Sequence, residues 1–312
     1  MAEIRTYQSD AALDVLDSEW AEPSLTAQAW ARFLRHRLAL AGAIIFLFMI
    51  IAVSLGPLIY RVPINHIDFS QTLKGPSFAH PMGTDDLGQD LLARVLSGGR
   101  LSLAVGVTAM LIAVILGTVI GAIAGYAGGI VDGVMMRVTD LFFALPELPL
   151  LLLLIYLFRD SLRQALGPQT GIFILVVVVI GGLRWMTVAR LVRASFLALR
   201  ERDFLVAARA MGVSPARQIL THLLPNSLGP IMVAATLEVG IAIISESSLS
   251  FLGLGFPPDI PTWGRLLFDA QEHLDTGPHF AIFPGLMIFL AVLSINYVGD
   301  GLRDALDPRR LL

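Results

Sequence analysis

The sequence predicts an all-α integral membrane protein with six transmembrane helices. The first observation is composition: of 312 residues, 55% are hydrophobic and only 15% are charged, and the mean hydropathy is +0.74. Soluble domains have about a quarter of their residues charged. The second observation is that six apolar stretches approach the roughly 20 residues that a helix needs to cross the hydrocarbon core. The third is the absence of cysteine, which excludes disulfides and thiolate chemistry.

Polar segments separate the six predicted spans. The third span contains Pro146 and Pro149, which a membrane helix tolerates when neighbouring groups satisfy the freed carbonyls, so we expect a kinked span there. In the second span, Gly117, Gly121 and Gly125 form a pattern that lets helices pack closely, either within this chain or against another subunit. The predicted spans are residues 39–60, 101–125, 140–158, 172–189, 229–252 and 280–299.

The distribution of basic residues predicts the orientation. Residues 1–38 form a polar tail rather than a signal peptide, because the first 31 residues are acidic with Arg5 as their one basic residue. Most arginines lie in this tail, in the interval 190–228 and in the tail 300–312. The positive-inside rule therefore predicts that these three segments and both termini are cytoplasmic. The remaining parts are then an extracytoplasmic segment, 61–100, and a transmembrane core, 101–299.

The segment 61–100 is predicted to contain a short helix. Thr84 would be its N-cap, with acids in the first turn, and Gly98 and Gly99 would end it. Four side chains in this region could be imagined as metal ligands: His80, Asp85, Asp86 and Asp90. Because capping and helix-dipole roles explain the acids, we predict no metal site and no cofactor.

The polar interval 190–228 is predicted to form a helix, a turn and a second helix. Gly212 is expected to end the first helix with a positive φ. Ser214 and Pro215 are expected to begin the second as its N-cap and first helical residue, and this helix should stop before Pro225. Its small and apolar side chains would suit a cleft on a partner protein. The alternative is an amphipathic hairpin that lies on the inner leaflet.

Ionisable residues inside spans are functional candidates because they are costly in hydrocarbon. Glu238, Ser245 and Glu246 on the fifth span could line a water-filled passage. Alternatively, they form interhelical hydrogen bonds, or Glu246 is exposed near the outer surface. Glu147, beside Pro146, is expected to meet backbone donors freed by the kink. Four polar residues at the inner helix ends are expected to hold those ends together: Arg137, Asp140, Asp300 and Arg303.

The interval 190–228 resembles the EAA loop of the membrane-spanning subunits of bacterial ABC importers, whose pattern is E-A-A-x3-G-x9-I-x-L-P. The matching residues are Ala207, Ala208, Gly212, Leu224 and Pro225. Val206 stands in place of the glutamate, and His222 stands in place of the isoleucine. In this family, the loop fits a groove on the ATPase subunit and carries its closing motion to the transmembrane helices.

Four further stretches resemble the dipeptide, oligopeptide and nickel permeases, a branch of the same family. They are HPMGTDDLGQDLLARVLSGGRLSL, GYAGGIVDGVMMRVTDLFFALP, SLSFLGLGFPPDIPTWG and NYVGDGLRDALDP. Gln89 occurs where an arginine is usual. Together with the loop, these stretches cover most of residues 77–308 and resemble the second of the two permease types that such importers carry. The resemblance implies a six-helix unit with a five-helix core.

The same resemblance implies a non-enzymatic permease subunit of the bacterial cytoplasmic (inner) membrane that forms half of a path for di- or oligopeptides. The implied partners are a companion permease subunit, two ATP-binding subunits, an extracytoplasmic solute-binding protein, membrane lipid and the peptide, with no nucleic acid. ATP would be hydrolysed elsewhere, since the only lysine, Lys74, is followed by Gly75 and fits no P-loop. Alternatives are import of nickel or another small solute, an ion-coupled transporter and an intramembrane enzyme.

Overall fold

The computed structural model describes residues 25–306, with side chains from residue 28 onward. No β-strand occurs in this range, where Thr84 and Asp90 form only an isolated bridge. The all-α prediction is therefore confirmed. The α-helices are α1 (Leu25–Arg35), α2 (Arg37–Ile59), α3 (Leu91–Ala127), α4 (Gly129–Phe143), α5 (Glu147–Leu166), α6 (Pro168–Gly182), α7 (Trp185–Arg200), α8 (Asp203–Ala210), α9 (Pro215–Gln218), α10 (Leu224–Phe251), α11 (Trp263–Ala270) and α12 (His279–Leu306).

Five helical stretches are long and apolar enough to cross a membrane, and α4 with α5 would make a sixth. These two helices meet at 82°, at a break over residues 144–146. The kink expected in the span 140–158 is a sharp corner at Pro146, which precedes the first residue of α5. The five stretches are Arg37–Ile59, Leu91–Ala127, Pro168–Arg200, Pro215–Phe251 and His279–Leu306.

The second span begins at Leu91 rather than near residue 101. Asp90 caps it, because its Oδ1 accepts a hydrogen bond from the amide of Ala93 at 2.8 Å. The predicted helix that starts at Thr84 is therefore wrong. Thr84 lies in a loop, where its hydroxyl oxygen accepts a hydrogen bond from the amide of Lys74 at 2.9 Å.

Gly98 and Gly99 do not end a helix either, since both lie inside α3. A Cβ at Gly98 would meet the backbone of Pro261 at 3.2 Å, and a Cβ at Gly99 would meet the ring of Trp263 at 2.7 Å. These glycines therefore let the segment that enters α11 approach α3.

The four side chains considered as metal ligands have other partners. The buried carboxylate of Asp85 pairs with Arg94 at 2.7 Å, and burial raises the pKa of Asp85 despite this charge. Asp90 accepts from the hydroxyl of Tyr60 at 2.7 Å and lies 2.8 Å from Nδ1 of His80. Within residues 25–306, no group of three or more histidines and acids could hold a metal ion.

The glycine pattern of α3 packs against α7 of the same chain, which resolves the alternative left open by the sequence. A Cβ at Gly117 would lie 2.7 Å from the carbonyl oxygen of Trp185, and one at Gly125 would lie 2.7 Å from Cβ of Phe196. A Cβ at Gly121 would clash with the carbonyl oxygen of Ala189. The predicted close helix packing is confirmed.

Both tails contain helix. Helix α1 lies inside the predicted N-terminal tail, and residues 1–24 of that tail lie outside the described residues. Helix α12 continues to Leu306 rather than ending near residue 299. Residues 307–312 also lie outside the described part of the chain. The last span is therefore longer than its apolar sequence indicates.

Candidate functional site

The loop between α7 and α10 turns sharply at Gly212, which has the predicted positive φ of 76°. The amide of Val213 donates to the carbonyl of Ala208 at 3.1 Å, and the amide of Gly212 donates to the carbonyl of Arg209 at 3.0 Å. These two bonds form a Schellman motif, which satisfies the free carbonyls at the end of α8. Glycine suits the position because its backbone adopts positive φ without a Cβ clash.

The second half of the loop differs from the sequence prediction. Ser214 occupies the N-cap position of α9 without a side-chain cap bond, and Pro215 is the first helical residue. The helix does not stop before Pro225, because a π-helical turn, Ile219–Leu223, leads directly into α10. A proline ring collides with the carbonyl four residues earlier in a regular α-helix. Here that carbonyl lies in the wider π-turn, so the predicted stop is wrong.

A buried glutamine fastens the turn to the transmembrane bundle. The Nε2 of Gln218 donates to the carbonyl of Val213 at 2.6 Å, and its Oε1 accepts from the hydroxyl of Tyr126 at 3.0 Å. Beneath the loop, Leu205 and Leu223 pack in one buried cluster with Phe196 of α7. Sequence reasoning missed Gln218, because a single glutamine in a polar loop carries no periodic signal. The contacts join the loop to the ends of α3 and α7.

The outer side of the loop exposes apolar side chains. Met211 is 77% exposed and Leu220 is 63% exposed. Of the two alanines in the matched pattern, Ala207 is exposed and Ala208 is buried. We call the exposed apolar side chains of the loop the docking surface: Phe204, Val206, Met211 and Leu220. The loop therefore combines a fixed inner face with a hydrophobic outer face.

A charge cluster joins three helices at the middle of the spans. Arg184, at the break between α6 and α7, donates from Nε to Glu238 of α10 at 3.0 Å. Its Nη1 donates to Glu147, the first residue of α5, at 2.9 Å. The expectation that Glu147 meets backbone donors is therefore wrong, because Arg184 supplies a charged donor. Glu238 is buried and lines an apolar cavity of about 510 Å³ beside Arg184.

The other residues considered for a passage lie apart from this cluster. Glu246 is 1% exposed and accepts from the hydroxyls of Ser102 at 3.2 Å and Ser250 at 2.7 Å. Exposure near the outer surface is therefore wrong for Glu246, and interhelical hydrogen bonding describes it. Ser245 is partly exposed. Glu238 lines the cavity of about 510 Å³, and Ser245 and Glu246 do not line it.

The expected pairing at the inner helix ends does not occur. Asp140 accepts from Arg190 of α7 at 2.7 Å, whereas Arg137, Asp300 and Arg303 form no ion pair within residues 25–306. A second pair, Arg193 with Asp132, also joins α7 to α4, with one hydrogen bond of 2.6 Å. Of the four residues expected to hold the inner helix ends, Asp140 does join two helices, through Arg190 rather than through the other three. Arginines at the base of the loop connect the helix ends instead.

Comparison with known proteins shows the family to which this chain belongs. Residues 117–311, which include the loop and the whole charge cluster, match the model of a family described as the inner membrane component of binding-protein-dependent transport systems. The chain belongs to this family. Residues 24–76 match a second family, described as the N-terminal transmembrane domain of oligopeptide transport permease C.

Several curated proteins are similar to this family member over nearly its whole length. A glutathione transport system permease protein of Pectobacterium atrosepticum is 38% identical over 90% of each chain. A dipeptide transport system permease protein of Alkalihalophilus pseudofirmus is 39% identical over 94% of this chain and 93% of its own. A putative peptide permease protein of Brucella suis is 41% identical over 91% of each chain. The family member is therefore an ABC importer permease of the peptide branch and a multi-pass inner membrane protein.

A solved structure of the inward-facing MetNI methionine ABC transporter has the same fold. The two align with a TM-score of 0.54 and 19% sequence identity, over 68% of this chain and 96% of the other. At this identity the likeness concerns the fold alone. It confirms the expected ABC importer permease fold.

Proposed function

We propose that this permease forms half of a translocation path for di- and oligopeptides, and that its loop couples the path to a separate ATPase subunit. The docking surface carries this proposal. Its exposed methionine, leucine, phenylalanine and valine form a hydrophobic projection on an otherwise charged end of the bundle. Clusters of exposed apolar side chains commonly mark protein interaction sites. In this proposal, the loop and both termini face the cytoplasm, as the distribution of arginines indicates.

The loop is suited to transmit displacement because its inner face is firmly held. Gln218 bonds to both the turn and Tyr126, and Leu205 of α8 lies in a buried cluster with Phe196 of α7. A push on the docking surface would therefore move α7 and the end of α3 together with the loop. Rigid elements that move as bodies are a common means of switching between two states.

The proposed assembly contains a companion permease subunit, two ATP-binding subunits and an extracytoplasmic solute-binding protein. ATP hydrolysis belongs to the separate subunits in this scheme, and this chain supplies the path. Relatives described as permeases for dipeptides, glutathione and peptides support a peptide substrate. Nickel or another small solute is the alternative that a substrate screen would reveal.

The first experiment is co-expression of this chain with the other products of its operon. The complex is purified through a tag on this chain, reconstituted in nanodiscs, and assayed for ATP hydrolysis with empty and peptide-loaded binding protein. We expect a stable complex whose ATPase activity rises when the loaded binding protein is added. A chain that purifies without an ATPase, although the neighbouring subunits are folded, would argue for the inner-leaflet hairpin instead.

A further inference from the structure

A second cavity, of about 360 Å³, lies between two breaks in the transmembrane helices. One wall comes from the corner between α4 and α5, and the other from the break between α6 and α7. We call this space the break cavity, and the residues that matter for its chemistry are Phe142, Phe143, Leu145, Glu147, Arg184 and Thr187. All the other side chains that line it are apolar.

Non-helical backbone from both breaks borders the break cavity. Non-helical backbone at membrane depth is tolerated only where it is buried in protein or lines a water-filled space, because lipid cannot satisfy its polar groups. Arg184 lies near the middle of the helical stretch Pro168–Arg200, and its partner Glu238 lies near the middle of α10. Two breaks therefore face one cavity near the middle of the helical stretches.

The charges around the break cavity leave one carboxylate partly free. Arg184 donates to both oxygens of the buried Glu238, from Nε at 3.0 Å and from Nη2 at 3.4 Å. It donates to only one oxygen of Glu147, Oε2, and the Glu147 side chain is 39% exposed. Two carboxylates share one guanidinium, so the cluster carries a net charge of −1. Nearby, Asp140 and Arg190 neutralise each other.

We propose that the break cavity binds the primary ammonium group of the transported solute, with Glu147 as the anionic partner. This inference rests on the proposed function and specifies its substrate as a solute with a free amino group. The apolar walls strengthen the attraction, because they lower the local dielectric. Phe142 adds an aromatic ring, and such rings attract cations through their faces. The ring of Phe143 already lies under the guanidinium of Arg190, at 4.3 Å from its centroid. Glu147 also lies in the first turn of α5, at the positive end of the helix dipole.

The natural absence of cysteine makes the electrostatics of the break cavity measurable without transport. Leu145→Cys is introduced into this chain in the reconstituted complex. Its rates of reaction are measured with a cationic trimethylammonium methanethiosulfonate and with the anionic sulfonate analogue, by mass spectrometry of this chain. Phe78→Cys, at a fully exposed loop position, gives the ratio of the two rates in open solvent.

We expect the cation-to-anion rate ratio at Leu145→Cys to exceed that at Phe78→Cys by about tenfold, which corresponds to about 1.4 kcal/mol. Adding Glu147→Gln should remove most of this excess while the shape of the side chain is kept. Equal ratios at the two cysteines, or an unchanged ratio with Glu147→Gln, would overturn the proposal. Failure of every reagent to reach Leu145→Cys would overturn it as well.

Peptide protection tests the ammonium group itself. A tripeptide amide with a free amino terminus should slow modification of Leu145→Cys at least about threefold more than its N-acetylated counterpart, and Glu147→Gln should abolish the difference. Equal protection by the two peptides would overturn the assignment of the break cavity to the ammonium group. The rate ratios do not depend on uptake, so a complex that imports no peptide but keeps the cation preference would contradict the proposed substrate rather than the site. Peptide uptake without the cation preference would contradict the site rather than the proposed substrate.

Discussion

Gly212 and Gln218 together determine the geometry of the loop. Gly212 provides a backbone conformation that residues with a Cβ rarely adopt, and Gln218 bonds the following segment to Tyr126 of α3. The first contribution was predictable, because a glycine between a helix and a Ser-Pro start is a local signal. The second was not, because the partner of Gln218 lies 92 positions away in the chain.

Gly212→Val should weaken coupling while leaving membrane insertion intact. A β-branched residue at φ 76° costs about 1–2 kcal/mol in local strain, which the loop relieves by opening its turn. We expect ATPase activity stimulated by loaded binding protein to fall, with normal amounts of the variant in the membrane. The matched control is Gly133→Val, since a Cβ at this exposed helical position has open space around it. Normal transport by Gly212→Val would argue against this turn geometry.

At the scale of the elements, α3 and α7 pack closely against each other at the end of the bundle that carries the loop. Their contact depends on Gly117, Gly121 and Gly125, whose missing Cβ atoms leave room for the backbone of α7. The loop follows directly after α7. This packing therefore joins the candidate coupling site to α3, a helix of 37 residues.

Gly121→Leu should destabilise this helix pair. The added side chain meets the carbonyl oxygen of Ala189, which cannot move without displacing α7. Overpacking of this kind typically costs about 1–3 kcal/mol. We expect a lower midpoint temperature of aggregation, measured by size-exclusion chromatography of heated, detergent-solubilised protein. Val119→Leu, at an exposed position of the same helix, should leave the midpoint near that of the wild type.

The elements also show where sequence patterns stop being informative. The apolar spans were predictable, because hydrophobic length is a property of the chain itself. The start of α3 was not, because Gly98 and Gly99 resemble a helix end but serve the approach of Pro261 and Trp263. Pro225 resembles a stop, yet the π-turn before it lets the helix continue. Both errors have one cause. A glycine or a proline indicates that the backbone or its packing departs from a regular helix, but the residue alone does not show whether the helix ends there or continues.

At the scale of the whole molecule, the proposed orientation in the membrane can be tested at the two exposed ends of the bundle. Met211 lies in the loop, whereas Leu274 lies between α11 and α12 at the opposite end. Both are well exposed, and the chain has no cysteine that would give a background signal.

Single cysteines should therefore reveal the sidedness. In cells with a permeabilised outer membrane, an impermeant maleimide should label Leu274→Cys and leave Met211→Cys unlabelled. After the inner membrane is opened, Met211→Cys should react as well, in cells that express this chain without the ATPase subunits. Labelling of Met211→Cys from outside would reverse the proposed orientation and, with it, the assignment of the loop to the ATPase side.

The docking surface makes the assembly itself testable. Met211→Asp and Leu220→Asp each place a carboxylate in a surface that the proposal buries against the ATPase. An unpaired charge in a buried apolar contact is costly, so we expect ATPase retention to fall by about tenfold or more, equivalent to at least about 1.4 kcal/mol. Retention is measured as the ratio of ATPase to companion permease in the complex purified through this chain.

Leu274→Asp adds the same charge to an exposed leucine at the opposite end and should leave this ratio unchanged. Because the companion permease serves as the internal reference, a general folding defect would lower both subunits, whereas loss of docking lowers the ATPase alone. Full ATPase retention by both loop variants would show that these side chains lie outside the contact.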